Sequence, residues 1–263
     1  KDIGFAMGLY ISGTAIGGMG GRLIAGVLVD FISWQSATYI IGFLNLIIAC
    51  LFYFLLPKSQ HFKPYPFRFS RFKDAFEQNL RDSKLRILFA QGFILMGCLV
   101  TVFNYISYHL LEAPFHLSQA WIGVISIAYL AGIYSSPKAA QWGFKYGRVK
   151  VLPMMLMTMM IGLWFTLIPS LWSILIGLII FAFSFFAAHS TASSWVSVQA
   201  VQYRAVASSL YLFCYYIGSS LLGSFGGLVW EQFGWIGINL SVSVVLVIGL
   251  VSALYLGKLQ RSA

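Results

Sequence analysis

Residues 4–34 read GFAMGLYISGTAIGGMGGRLIAGVLVDFISW, an apolar, glycine-laced run with Arg22 inside it and Asp30 near its end. Displaced by 201 positions, the run falls on itself: Leu9-Tyr10 meets Leu210-Tyr211, Ile16-Gly17 meets Ile217-Gly218, Gly26 meets Gly227, Asp30 meets Glu231 and Trp34 meets Trp235. Ala6 likewise meets Ala207. A register shared by tyrosine, glycine, acid and tryptophan identifies the repeat of a whole half-protein, which two unrelated oily segments would not produce.

The rest of the chain has the composition such a repeat needs. Of 263 residues, 59% are hydrophobic and 9% charged, far from a soluble globular domain and typical of a polytopic membrane protein. A bilayer core of roughly 30 Å takes about 20 apolar helical residues. Segments of that length fall near residues 7–29, 36–56, 87–108, 119–136, 151–168, 172–194, 207–229 and 236–256, so an all-α fold with eight spans is expected. Pro57, Pro153 and Pro169 are expected at span ends, where a missing N–H does least harm. The runs are too long, and lack the ten-residue alternation, for a barrel.

A net charge of +10 would suggest nucleic acid in a soluble chain, but here the cations lie in short loops between apolar runs. Apart from Arg22 they share one side of the expected topology: Lys1, the stretch 58–86, the stretch 138–150, Arg204, Lys258 and Arg261. The opposite loops hold Asp30, His109, Glu112, His116 and Glu231, with no Lys or Arg. The positive-inside rule makes the basic side cytoplasmic and puts both ends of this chain there; a nucleic-acid partner is not expected. Cys50, Cys98 and Cys214 lie in apolar runs without metal-ligand spacing and read as small core residues, so no disulfide, metal or cofactor is expected.

Lys1-Asp2-Ile3-Gly4 carries no initiator Met and runs straight into a span, so the chain is expected to begin within a longer protein. The repeat pairs span one with span seven and span two with span eight. Four spans precede span seven in the second half, so four further helices are expected ahead of span one. The organisation expected is residues 1–56 as the last two helices of an N-terminal six-helix bundle, 57–86 as a basic cytoplasmic linker, 87–257 as the C-terminal six-helix bundle, and 258–263 as a tail. Within the linker, Phe69, Phe72, Phe76 and Leu80 recur at helical spacing among Arg71, Lys73 and Arg81, the pattern of a short helix lying on an anionic leaflet.

This layout resembles the major facilitator superfamily of secondary transporters, in particular its bacterial inner-membrane drug-efflux branch, over all 263 residues at the level of topology. The resemblance implies helices five to twelve of a twelve-helix, two-bundle architecture. Two short motifs carry it. Gly4, Gly13, Gly17 and Gly21 stand at the spacing of the family's fifth-helix antiporter motif, with Gly18 at its proline position and Arg22 at its last glycine position. The basic turn after the second helix of each half is matched at Lys145-Tyr146-Gly147-Arg148-Val149-Lys150, with Phe144 at the usual aspartate position; Lys145, Gly147 and Arg148 are the gating turn the resemblance implies.

Gly13, Gly17 and Gly21 strip one helix face of side chains, which suits close packing in a bilayer and is compatible with hinge motion. Arg22 lies about 12 Å from the outer end of its helix, where a cation needs a partner, water, or a route outward for its head group. It either bonds neighbouring carbonyls or faces the cavity as an anion-binding or gating group. The resemblance implies that spans three and six line the cavity. Span three supplies Gln91, Asn104, Tyr105 and Tyr108; span six supplies Ser184, His189, Ser190 and Thr191. Each is a candidate for an interhelical hydrogen bond or a cargo contact. His189 is the one histidine placed within a span and can titrate near a reference pKa of about 6.5. No Asp or Glu lies deep in any span, so proton coupling would fall to His189, to Arg22 acting on a neighbour, or to the expected further helices.

The expected function is therefore secondary active transport by alternating access, moving a small amphipathic molecule outward in exchange for protons. An uptake carrier for an organic anion that uses Arg22 is the alternative within the class. A membrane-embedded enzyme or lipid flippase is the alternative outside it, and no paired Asp, Ser with His, or HExxH at helical spacing supports an enzyme. The expected partners are the small-molecule substrate, protons, the bilayer and the four further helices.

Overall fold

A computed structural model describes residues 2–56 and 69–261, and the side chains of 12–56 and 70–260. The described residues are helical almost throughout, in the order α1 Asp2–Phe31, α2 Trp34–Leu55, α3 Phe69–Arg81, α4 Ser83–Leu111, α5 Gln119–Ile125, α6 Leu130–Trp142, α7 Arg148–Phe165, α8 Leu171–Gln199 and α9 Arg204–Arg261. A 3₁₀ turn, Ser126–Tyr129, joins α5 to α6, and a π turn, Gly143–Gly147, joins α6 to α7. Starts are set by side-chain caps: Ser33 accepts from Ser36 N at 3.3 Å, Asp82 from Lys84 N at 2.7 Å, and Ser118 from Trp121 N at 3.5 Å.

Among the described residues, six continuous helical runs are long and apolar enough to cross a membrane, and two of them, Gln119–Phe165 and Arg204–Gln260, reach 47 and 57 residues. Each of these is about twice a bilayer's need and folds back on itself at a glycine. Gly147 has φ 85° and Gly234 has φ 57°, backbone angles that an L side chain rarely adopts. The reversal at Gly234 is legible on α4. Tyr211 packs on Gly92, Tyr105 donates to the Gly223 carbonyl at 2.8 Å, and Trp235 stacks on His109 at 5.6 Å. The chain then returns, so that Gln91 donates to the Gly249 carbonyl at 2.8 Å. On α8, Gly177 meets Gly162 while Phe186 meets Gly132, so α6 and α7 run in opposite directions. Eight membrane-length legs result, as the apolar runs predict.

The two ends of the bundle differ in charge. At one end Gln199 donates to Asp82 at 2.9 Å, Gly257 packs on Val149, and Arg148 and Arg204 line one cavity. At the other, Trp235 donates to the Thr166 carbonyl at 3.1 Å and Asp30 accepts from Ala120 N at 3.0 Å. The core lies among α4, α7, α8 and α9, with Leu88, Leu95, Leu152, Leu156, Phe181 and Tyr211 fully buried.

Several details differ from the sequence reading. Pro153 sits inside α7 instead of at its end, because the helix begins at Arg148, in polar residues that an apolar run does not count. Pro137 likewise lies inside α6. Cys98 is buried, but Cys50 is exposed, because among the described residues α2 packs chiefly on α1 and Ala37 is its one buried residue. The glycine face of α1 is also open: a Cβ on Gly13, Gly17 or Gly21 would meet nothing described within 4 Å. The packing face is the adjacent one, where Gly18 lies against the Tyr129 ring and Gly26 against Gly123 so closely that a Cβ would sit 2.6 Å from the Gln119 carbonyl oxygen. The surroundings of Gly4, and residues 57–68 of the linker, lie outside the described residues.

Candidate functional site

Gly26 of α1 lies against Gly123 of α5, and one turn earlier Arg22 reaches α4. Its Nη1 donates to the Phe103 carbonyl at 3.3 Å and its Nη2 to Asn104 Oδ1 at 3.1 Å. Its Cζ stands 5.8 Å from the centre of the Phe103 ring. No carboxylate among the described residues lies within ion-pair distance of this guanidinium. Arg22 also lines a cavity of about 290 Å³ with Phe103, Ser107, Gln119 and Ser126. The cation thus bonds a neighbouring helix and borders a small void.

His189 lies on α8, buried, and its Nδ1 shares a hydrogen bond of 2.8 Å with the Tyr211 hydroxyl of α9. Rings enclose the pair: Phe185 is parallel to the imidazole at 5.9 Å, and Tyr215 lies 4.7 Å from it. Gly92 of α4 leaves room for the Tyr211 ring, because a Cβ there would come within 2.9 Å of it.

An unbroken series of ring contacts joins the two polar groups. Phe103 meets Tyr129 at 4.7 Å, Tyr129 meets Phe186 at 5.6 Å, Phe186 meets Phe185 at 5.0 Å, and Phe185 reaches His189. Edge-to-face pairs dominate the series, the geometry ring quadrupoles favour. The sequence did not single out Tyr129, Phe185 or Phe186. Tyr211 carried a signal, since the repeat pairs it with Tyr10.

The remaining candidates fall elsewhere. Gln91 is buried on the face of α4 toward the last leg of α9, donating to Gly249 and to Ser252 Oγ at 2.8 Å each, with its Oε1 unpartnered. Tyr105 and Tyr108 belong to an aromatic group with Trp230 toward the end opposite the basic turns, with centroids 6.0–6.1 Å apart. Ser190 and Thr191 are bonded to backbone carbonyls, while the Ser184 hydroxyl is buried without a partner. The turn at Lys145, Gly147 and Arg148 takes π geometry. Lys145 Nζ lies 5.0 Å from the Tyr146 ring, and Arg148 borders a second cavity, of about 990 Å³, between α6, α8 and α9. The described residues hold no cluster of three or more His, Cys, Asp or Glu fit for a metal.

A model of the Major Facilitator Superfamily matches residues 1–223 of this chain. The chain is 48% identical over 248 residues to the inner membrane transport protein YnfM of Escherichia coli K12, a match covering 94% of this chain and 60% of that protein. It is 45% identical over 258 residues to an uncharacterized transporter of Buchnera aphidicola subsp. Schizaphis graminum, covering 98% of this chain and 62% of the relative. The uncharacterized MFS-type transporter YybF of Bacillus subtilis 168 is 41% identical over 257 residues, covering 98% and 64%. The chain thus spans about three-fifths of the length of these curated relatives.

Proposed function

This chain belongs to the major facilitator superfamily, and from that membership we propose that it is the larger part of a secondary transporter working by alternating access. It carries a small molecule outward across a bacterial cytoplasmic membrane in exchange for protons, and it is not an enzyme. Residues 1–56 complete an N-terminal bundle with four further helices, 57–86 form the cytoplasmic linker, 87–257 form the second bundle, and both ends of the chain face the cytoplasm.

One observation carries this reading most. The histidine within the spans is bonded to a tyrosine and enclosed by rings that lead, contact by contact, to the arginine of α1. Such an interior has an imidazole able to take up and release a proton, a fixed cation and aromatic walls, which together suit proton exchange with an amphipathic cargo. A second reading, inward movement of an organic anion, is favoured by Arg22, which borders a cavity without a carboxylate partner among the described residues.

The test is proton flux in vesicles holding the full-length protein with its preceding helices. Export predicts that an outward cargo gradient drives proton movement in the opposite direction. Cargo movement without proton movement would refute coupling, and proton leak without cargo would refute the carrier.

A further inference from the structure

The cavity of about 990 Å³ at the basic end is large enough for a whole small ligand and is lined by two guanidiniums from different legs, Arg148 in the first turn of α7 and Arg204 in the first turn of α9. We propose that it binds the anionic group of an amphipathic organic anion, a carboxylate, sulfonate or phosphate on an apolar body, and that this anion is the cargo. The role as cargo rests on the transporter reading above; the binding does not.

Charge comes first. No Asp or Glu lines the cavity, and among the described residues neither guanidinium has a carboxylate within ion-pair distance. Arg148 is half-buried and Arg204 exposed, so two like charges border one cavity, one of them partly desolvated, without a counter-ion among the described residues. That arrangement repels a cationic ligand and is relieved by an anionic one.

Donor geometry agrees. Arg204 Nε donates to the Ala200 carbonyl at 3.1 Å, which orients the guanidinium and leaves its two Nη groups for a ligand. Gln141 Oε1 accepts from Lys138 Nζ at 3.3 Å, which leaves its Nε2 as a donor. The hydroxyls of Thr191, Ser194 and Ser197 donate to carbonyls of their own helix at 2.8, 3.0 and 3.4 Å, so they offer the cavity acceptors at most. The charged donors lining the cavity are the two arginines, whose planar forks fit carboxylate, sulfonate and phosphate oxygens. Phe144 and Val198 give the same cavity apolar wall for the body of the ligand.

A soluble anion fits better than a lipid headgroup, because the cavity runs inward along α8 to Thr191 and Ser194, both buried. Equilibrium dialysis of the purified full chain in neutral detergent would use three isosteric probes: 2-naphthalenesulfonate, the neutral 2-naphthalenesulfonamide, and trimethyl(2-naphthylmethyl)ammonium. The expected result is saturable binding of the sulfonate, at least about tenfold weaker binding of the other two, and about tenfold loss in Arg148→Gln and in Arg204→Gln. Lys150→Gln, an exposed cation close by and outside the cavity, should leave binding unchanged. Arg148→Lys and Arg204→Lys, which keep the charge, should retain part of the affinity and serve if a Gln variant does not fold. Equal binding of the three probes, no saturable binding, or an equal loss in Lys150→Gln would overturn the proposal. Displacement of the sulfonate by equimolar phosphatidylglycerol would assign the site to lipid and overturn the cargo role. Transport that persists while anion binding fails would leave the transporter reading standing and remove this one.

Discussion

His189 and Tyr211 are each other's hydrogen-bond partners in a setting of rings, so a proton gained by the imidazole has the tyrosine oxygen as its nearest acceptor. His189→Gln keeps a hydrogen-bonding side chain of similar reach but cannot titrate near neutrality. Transport in that variant should change its dependence on pH and fall in rate; an unchanged profile at an unchanged rate would assign the histidine to packing alone. Arg22 contributes differently, because it ties α1 to the Phe103 carbonyl and Asn104 on α4. Arg22→Ala should lower transport by about tenfold or more, the equivalent of losing one charge-assisted hydrogen bond of roughly 1.5 kcal/mol. Arg22→Lys should restore part of it, because one ammonium cannot span both acceptors. Insertion, followed by membrane-fraction yield, should be intact in both. That these two residues were candidates at all was legible in the sequence, where a lone cation and a lone histidine interrupt apolar runs. Their partners were not. Asn104 lies 82 residues from Arg22 and Tyr211 lies 22 from His189, and no local period reports which helix faces which.

Among the helices, the apolar runs marked eight legs and the basic turn marked the joint at Gly147, but the joint at Gly234 looks in sequence like any other glycine. Its consequence is specific. At Gly234, φ 57° with ψ −148° is a conformation nearly confined to glycine. Gly234→Ala should therefore destabilise the purified protein by about 1–3 kcal/mol, seen as a lower apparent Tm, whereas Gly20→Ala, with open space at its Cβ, should change it little. Helix α3 shows a pattern the sequence did make plain. Ala75 and Asn79 are buried, the neighbouring arc of Phe72, Phe76 and Leu80 is exposed, and beyond it Lys73, Glu77 and Arg81 pair at 3.9 and 3.5 Å. That order of faces is what a helix half on protein and half on lipid requires. A spin label at Phe76 should be more accessible to oxygen than to a water-soluble nickel relaxant, with the reverse at Glu77. Aqueous accessibility at both would place the arc in solvent.

For the whole molecule, the internal repeat makes a comparison that α1 alone cannot. Gly218 packs so tightly on α4 that a Cβ would collide with the Phe93 carbonyl, while its repeat partner Gly17 faces nothing described within 4 Å. Two faces alike in sequence and unlike in contacts are what the expected further helices would reconcile, since α1 would then have a counterpart of α4 to pack on. The chain by itself should accordingly insert but fail to move cargo in vesicles, and co-expression with the preceding four helices should restore movement; robust transport by residues 1–263 alone would defeat the two-bundle account.

The ring series between Arg22 and His189 bears on how such a molecule could move. Each edge-to-face ring pair adds only about 0.5–1.5 kcal/mol beyond its buried area, so shifting one pair costs less than breaking a charge-assisted hydrogen bond. The directional links from α1 to the helices beside it include Ser12 to the Ile133 carbonyl, Arg22 to α4, Ser126 to the Met19 carbonyl, and Ala120 to Asp30. In mechanical language the seam is a bearing held by catches, each worth about 1 kcal/mol net when neutral and somewhat more at the arginine. Each catch costs little beside what binding one small molecule can return, so the load itself can set which way the bearing sits.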